Sequence, residues 1–142
     1  MQNVIPALRM TNYEQAKRFY TEGLGFKIDW EHRFKPNFPV FMQVSRDGMI
    51  LYLSEHRGDC QPGGLVHFFV DDVDAWYTEL RQRLPKACAG LSKIVAPPSE
   101  GIPGLRDMTV LDPDGNKLRI CTRTERRTEA EGYTTPAVSD GQ

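Results

Sequence analysis

The side chains able to do chemistry in this chain fall into a few groups by type and spacing. Arg119 sits inside "KLRICT", an alternating stretch that reads as a half-buried strand. A guanidinium keeps its charge, binds no cation, and forks onto a carboxylate or phosphate. Arg106 and Asp107 lie one turn of sequence earlier, and Asp107 is a candidate ion-pair partner for Arg119. His67 shares a strand face with Leu65, where it is either a hydrogen-bonding or metal-binding group or a satisfied pocket imidazole. His56, between Glu55 and Arg57, reads as a solvated loop residue, and His32 continues an apolar strand face. Cys60, Cys88 and Cys121 are odd in number and lack CxxC spacing, which fits reduced thiols and a cytoplasmic setting.

A second group is aromatic. Trp30, Phe34, Phe38 and Phe41 crowd one short region. Such a cluster offers a stacking platform for a planar ligand, or the packing of a core or subunit interface. Asp29 and Glu31 alternate away from it, as ligand-facing anions or as a solvated strand face. Trp76 and Tyr77 fall on a helical stripe and read as core.

The elements that position these groups follow from periodicity. Val4–Met10 reads as a strand. Thr11-Asn12 caps a helix, with Glu14 at capping-box spacing from Thr11 and Tyr13, Ala16, Phe19, Tyr20 and Leu24 on one face. Phe26–Phe34 alternates strictly, with Phe26, Ile28, Trp30, His32 and Phe34 on one side. Val40–Ser45 and Met49–Ser54 flank an Arg46-Asp47-Gly48 turn. Leu65–Val70 leads into a second helix, capped at Asp71-Asp72 and ended by Pro85. One short strand is expected near Lys93–Ala96, and a hairpin closes over Asp107–Leu111 and Lys117–Thr122 around the Asp112-Pro113-Asp114-Gly115 turn.

The order is strand, helix, three strands, twice over. "DGMILYL" from Asp47 aligns with "DGNKLRI" from Asp114, and "MTNYEQA" from Met10 with "VDDVDAW" from Val70. Two βαβββ units, about 4–57 and 64–122, account for both matches. They form one α+β domain over 1–123, followed by a polar tail, 124–142, read as an arm-like extension. In each unit the helix covers one sheet face. Two uncovered faces turned toward each other make a cup-shaped mixed sheet, a natural place for a ligand.

With "ALRMTNYEQAKRFYTEGLGF", "FFVDDVDAWYTEL" and "DPDGNKLRI" in this order, residues 4–122 resemble the vicinal oxygen chelate superfamily of glyoxalase I, extradiol dioxygenases, and fosfomycin- and bleomycin-resistance proteins. The resemblance implies the glyoxalase/bleomycin-resistance fold. Its metal enzymes place a ligand on the first and last strand of each repeat, positions held here by Ile5, Tyr52, Leu65 and Arg119. Two aliphatic residues, one tyrosine and one arginine make a poor donor set. Of the family's branches, the bleomycin-resistance proteins look most similar. "GLRDMTVLDPDGN" matches their pattern of Arg, acid and apolar residue before a D-P-x-G turn, through Arg106, Asp107 and Met108. That likeness implies a non-catalytic homodimer that sequesters a bleomycin-type antibiotic between subunits and confers resistance. It departs in lacking an aromatic near Gly104 and in being nearly neutral, where such binders are acidic.

The expected ligand-binding set is therefore Trp30, Phe34, Phe38, Phe41, Tyr52, His67, Arg106, Asp107 and Arg119, with no metal, cofactor or catalytic residue. Two rivals are a metal-dependent glyoxalase or dioxygenase with an altered site, and a metal-free enzyme using Tyr52 or His67 as acid or base. The 142 residues are 39% apolar and 26% charged, with a net charge of -1. This composition fits a folded domain and gives no global electrostatic case for nucleic acid or anionic membranes. No apolar run reaches spanning length, and "MQNVIPALRM" lacks a signal peptide's regions.

Overall fold

The structure is a computed structural model and describes residues 2–88, 90 and 93–124. The tail expected from 124 onward lies, but for Thr124, outside the described residues.

The first half comprises β1 (Ala7–Arg9), α1 (Tyr13–Arg18), β2 (Lys27–His32), β3 (Phe41–Arg46) and β4 (Met49–Ser54). The second comprises β5 (Leu65–Phe69), α2 (Val73–Ala87), β6 (Lys93–Ile94), β7 (Ser99–Ile102), β8 (Leu105–Leu111) and β9 (Lys117–Arg123). Their sheets run β1-β4-β3-β2 and β5-β9-β8-β6, with β7 also paired to β8. In each, the first strand lies parallel to the last and the remaining pairs are antiparallel. The α+β repeat is thus present in both halves.

Local details differ from expectation for identifiable reasons. Asn12, not Thr11, caps α1, its Oδ1 accepting from the Gln15 backbone N–H at 3.0 Å. Thr11 instead donates both its backbone N–H and its hydroxyl to Asp114 in the other half. After α1 the chain widens into a π-turn over Phe19–Gly23, still burying Phe19 and Tyr20. Gly23 lets this turn touch α2, since a Cβ there would stand 3.0 Å from the Leu84 side chain. Pro85 does not end α2; it occupies the last turn, and the helix runs on to Ala87. β7 was not anticipated, because "SEGI" is exposed at every position and lacks the apolar alternation that marks a strand. Asp47 and Gly48 both have positive φ, 50° and 82°, the backbone of a two-residue type I′ hairpin.

The strict alternation expected through Phe26–Phe34 is broken. β2 pairs Ile28 with Val44 but Trp30 with Gln43, so a bulge sits at Asp29. Phe26 faces the core at 3% exposure, whereas Trp30 has moved to the opposite face at 42%.

One continuous core joins the halves. Phe26 packs against Phe68 with ring centroids 5.8 Å apart, and Val44, Leu53, Leu118 and Ile120 are fully buried. The buried Tyr20 hydroxyl donates to Asp112 at 2.7 Å, across 92 residues of sequence. Asp112 also accepts from the Asp114 and Asn116 backbone N–H groups and from the Asn116 amide. Asn116 in turn donates to the Arg9 carbonyl and accepts from the Gly63 and Gly64 N–H groups. On the helix side, Arg46 of β3 lies over the Trp76 ring, 3.8 Å from its centroid. It forks onto Glu79 at 2.9 and 3.1 Å and reaches the Leu24 carbonyl at 2.6 Å. The halves therefore meet through their helix-covered faces, leaving each sheet's other face open.

Candidate functional site

Alternation along β3 and β4 buries Met42, Val44, Leu51 and Leu53 against the helix, which sends Phe41, Gln43 and Tyr52 to the open face. The bulge in β2 adds Trp30 to them. Trp30 stacks on Phe41 with centroids 5.9 Å apart and an interplanar angle of 21°. Tyr52 completes the surface, 4.9 Å from Phe41 and 5.8 Å from Trp30. A depression of about 410 Å³ opens beside it, lined by Trp30, His32, Phe34, Phe41, His56 and Asp59. Its size suits one or two fused rings.

The bulge also carries Asp29 onto this face, not away from it. Gln43 and Ser45 both donate to its carboxylate at 3.0 Å and hold its carboxyl below the usual range. Glu31 does point away. It accepts from the Tyr13 hydroxyl beside α1; burial and that carboxylate push Tyr13 up to about 12.

Of the four aromatics expected to cluster, Phe38 stands apart. It lines a different hollow with Thr11, Tyr13 and Arg33, and Lys35 lies 5.6 Å from its ring centroid. Two histidines read as weak in the sequence are in the site instead. His32 packs edge-on to Phe34 at 4.6 Å, and His56 does so from the far side at 5.8 Å. His56 is half-buried, not solvated, and its Nε2 has no hydrogen-bond partner. Alternation grouped His32 correctly with Trp30 and Phe34 but wrongly with Phe26 and Ile28, because a period-two count passes over the bulge at Asp29. No periodic signal marks His56, which lies in a loop.

The second sheet's open face carries Leu65, His67 and Phe69 from β5 and Lys117, Arg119, Cys121 and Arg123 from β9, since Phe68, Leu118 and Ile120 are buried on the other side. Asp107 projects here from β8, opposite Cys121, and Thr109 stands opposite Arg119. The expected Asp107–Arg119 pair does not form: among the described residues the Arg119 guanidinium has neither a hydrogen bond nor an ion pair. Arg106 faces the other way and forks onto Asp74 of α2 at 2.8 and 2.9 Å, so its fork is occupied outside this face. The Cys121 sulfur is 3.8 Å from His67 Nδ1. Burial pushes that thiol up, so the pair holds a protonated thiol and not a thiolate nucleophile.

The strand register bears on the four metal-ligand positions. Tyr52 pairs with Ala7 and Arg119 with His67, and Ile5 lies ahead of β1. The cross-strand neighbours of the last-strand residues are thus Ala7 and His67, two residues beyond Ile5 and Leu65. Even with these added, His67 is the one ordinary metal ligand in the set. Among the described residues no three His, Cys, Asp or Glu side chains converge. The residues do not fit the metal that the fold's enzymes carry.

A family model described as "Glyoxalase superfamily protein" matches residues 1–127, and the chain belongs to that superfamily. A bleomycin-binding protein from bleomycin-producing Streptomyces verticillus, solved with copper(II)-bleomycin, superposes with a TM-score of 0.65 at 25% identity, covering 88% of this chain and 98% of that one. A glyoxalase/bleomycin resistance protein/dioxygenase superfamily member from Sphaerobacter thermophilus gives 0.65 at 24%, over 87% and 98%. TnmS3, an antibiotic binding protein from Streptomyces sp. CB03234, gives 0.64 at 22%, also over 87% and 98%. A search of curated proteins finds no match. No helix among the described residues is long and apolar enough to cross a membrane.

Proposed function

We propose that this protein is a non-catalytic binder that sequesters a planar aromatic small molecule of the antibiotic kind, and that a bleomycin-type drug belongs to its ligand class. The carrying observation is the Trp30–Phe41–Tyr52 surface on a sheet face that nothing among the described residues covers. Stacking on such a surface needs no acid, base or metal. The likeness to a bleomycin-binding and an antibiotic-binding protein supports the reading. Because the halves meet through their helix-covered faces, a closed cleft requires a second copy. The working form is a cytoplasmic homodimer in which one copy's first sheet faces the other's second sheet.

Titration calorimetry with bleomycin, followed by mass spectrometry of the recovered drug, tests this. Saturable heat with unaltered drug is expected. Altered drug would overturn the non-catalytic reading. No heat at high micromolar drug would remove bleomycin from the ligand class. Elemental analysis of the dialysed protein should find far less than one metal per chain; a stoichiometric metal would favour an enzyme with a rearranged site.

A further inference from the structure

The two open faces differ in charge. The first carries aromatic rings with a balanced set of charges: Arg9, Lys27 and Asp29, the last held by Gln43 and Ser45 and 3.9 Å from Lys27, with Asp59 lining the depression beside them. The second carries Lys117, Arg119 and Arg123 in alternate positions along β9, with His67 beside them and Asp107 as the carboxylate among them. Arg123 lies over the Phe69 ring, 4.0 Å from its centroid. Arg119 is left over: half-buried in mid-strand and always charged, its guanidinium has no hydrogen bond or ion pair among the described residues.

Its position gives that charge a direction. Tyr52 and Arg119 are equivalent in the two repeats, each on the last strand and each paired in parallel register with the first strand, to Ala7 and His67. In the shared cleft proposed above, one copy's first sheet faces another's second sheet, which sets Tyr52 and Arg119 on its opposite walls. A molecule stacked beside Tyr52 then meets a guanidinium. A half-buried guanidinium gains most from an oxyanion that can take its fork, and least from a cation.

We infer that the ligand is an aromatic acid: its ring lies on Trp30, Phe41 and Tyr52 of one copy and its carboxylate or other oxyanion on Arg119 of the other. The inference rests on the shared cleft proposed above and narrows its ligand class. Within that class it ranks anionic aromatics above neutral and cationic ones.

Three probes of one ring system separate the two ideas by calorimetry: 2-naphthoate, 2-naphthylmethanol and 2-naphthylmethylammonium. Naphthoate should bind at least about tenfold more tightly than the alcohol, and the ammonium more weakly than either. Arg119→Met should bring naphthoate to within about twofold of the alcohol, and Arg119→Lys should retain part of the preference. The wild-type ranking decides the matter even if a variant fails to fold. Equal affinities, or an ammonium that binds best, would overturn the anion inference and leave the aromatic cleft standing. No binding of any probe would overturn both.

Discussion

Trp30 shows how one side chain can carry affinity. It is exposed enough to meet a ligand, yet its ring is held against Phe41 and Tyr52. Little conformational freedom is lost when a second ring settles on it. Trp30→Ala should weaken binding by roughly 1–3 kcal/mol, about five- to 150-fold, and leave the unfolding midpoint nearly unmoved. Calorimetry and a denaturant curve read the two effects separately. Asp112 behaves oppositely: it touches no ligand and matters for stability. Burial pushes its carboxyl up, against the pull of its hydrogen bonds from Asn116 and Tyr20. A raised folded pKa means that its stabilising contribution is full below the unfolded value of about 3.9 and falls as pH rises through the folded one. Tyr20→Phe removes a bond that favours the carboxylate. The variant should be less stable by about 1–3 kcal/mol near neutral pH, and its Asp112 should titrate higher than in the wild type. Carboxyl NMR across pH 3–8 checks the direction; an unchanged or lower titration would refute it.

Among the elements, α2 owes its seat on the first sheet to Arg46 as much as to its apolar stripe. The guanidinium stacks on Trp76, forks onto Glu79 and caps the Leu24 carbonyl at once. Gly25, at φ 76°, leaves room for it, since a Cβ there would come within 2.9 Å of its Nη1. Arg46→Ala should cost about 1.5–3 kcal/mol of unfolding free energy. Arg46→Lys should recover less than half, because an ammonium can neither stack flat nor fork. Chemical denaturation of the three proteins settles it. Much of this level was legible beforehand: β4 begins and ends where alternation places it, and the "DG" turns mark the repeat. What escaped was whatever depends on a neighbour in space. Asn12 took the cap because Thr11 was drawn to Asp114. The Asp29 bulge is invisible to a period-two count, which is blind to a residue added on one strand only. His56 entered the site through a loop, and Arg106 left it because Asp74 lay within reach on the helix side.

The whole molecule is two half-cups back to back. Each sheet buries one face in the common core and leaves the other bare, with Trp30, Phe34, Leu65 and Phe69 all more than 40% exposed. That much exposed apolar surface on a small domain is what the proposed dimer would cover. Sedimentation equilibrium at micromolar concentration should give a dimer; a monomer would count against the shared cleft. Alternation and repeat matching led to the fold and to the need for a facing sheet. They did not show which face of which half would be left bare, because that follows from the packing of Phe26 on Phe68 and Tyr20 on Asp112.

The bulge in β2 has one more effect, on how copies of this chain stick together. β2 is the outer strand of its sheet and shows an unpaired row of backbone groups to solvent. Such a border invites another strand to add on, and repeated addition makes fibres. Here the border is irregular at Asp29 and set with Lys27, Asp29 and Glu31, charges that an incoming strand would have to bury. End-to-end growth along the sheet is disfavoured at that side, which leaves the broad faces as the surfaces through which the proposed dimer would form.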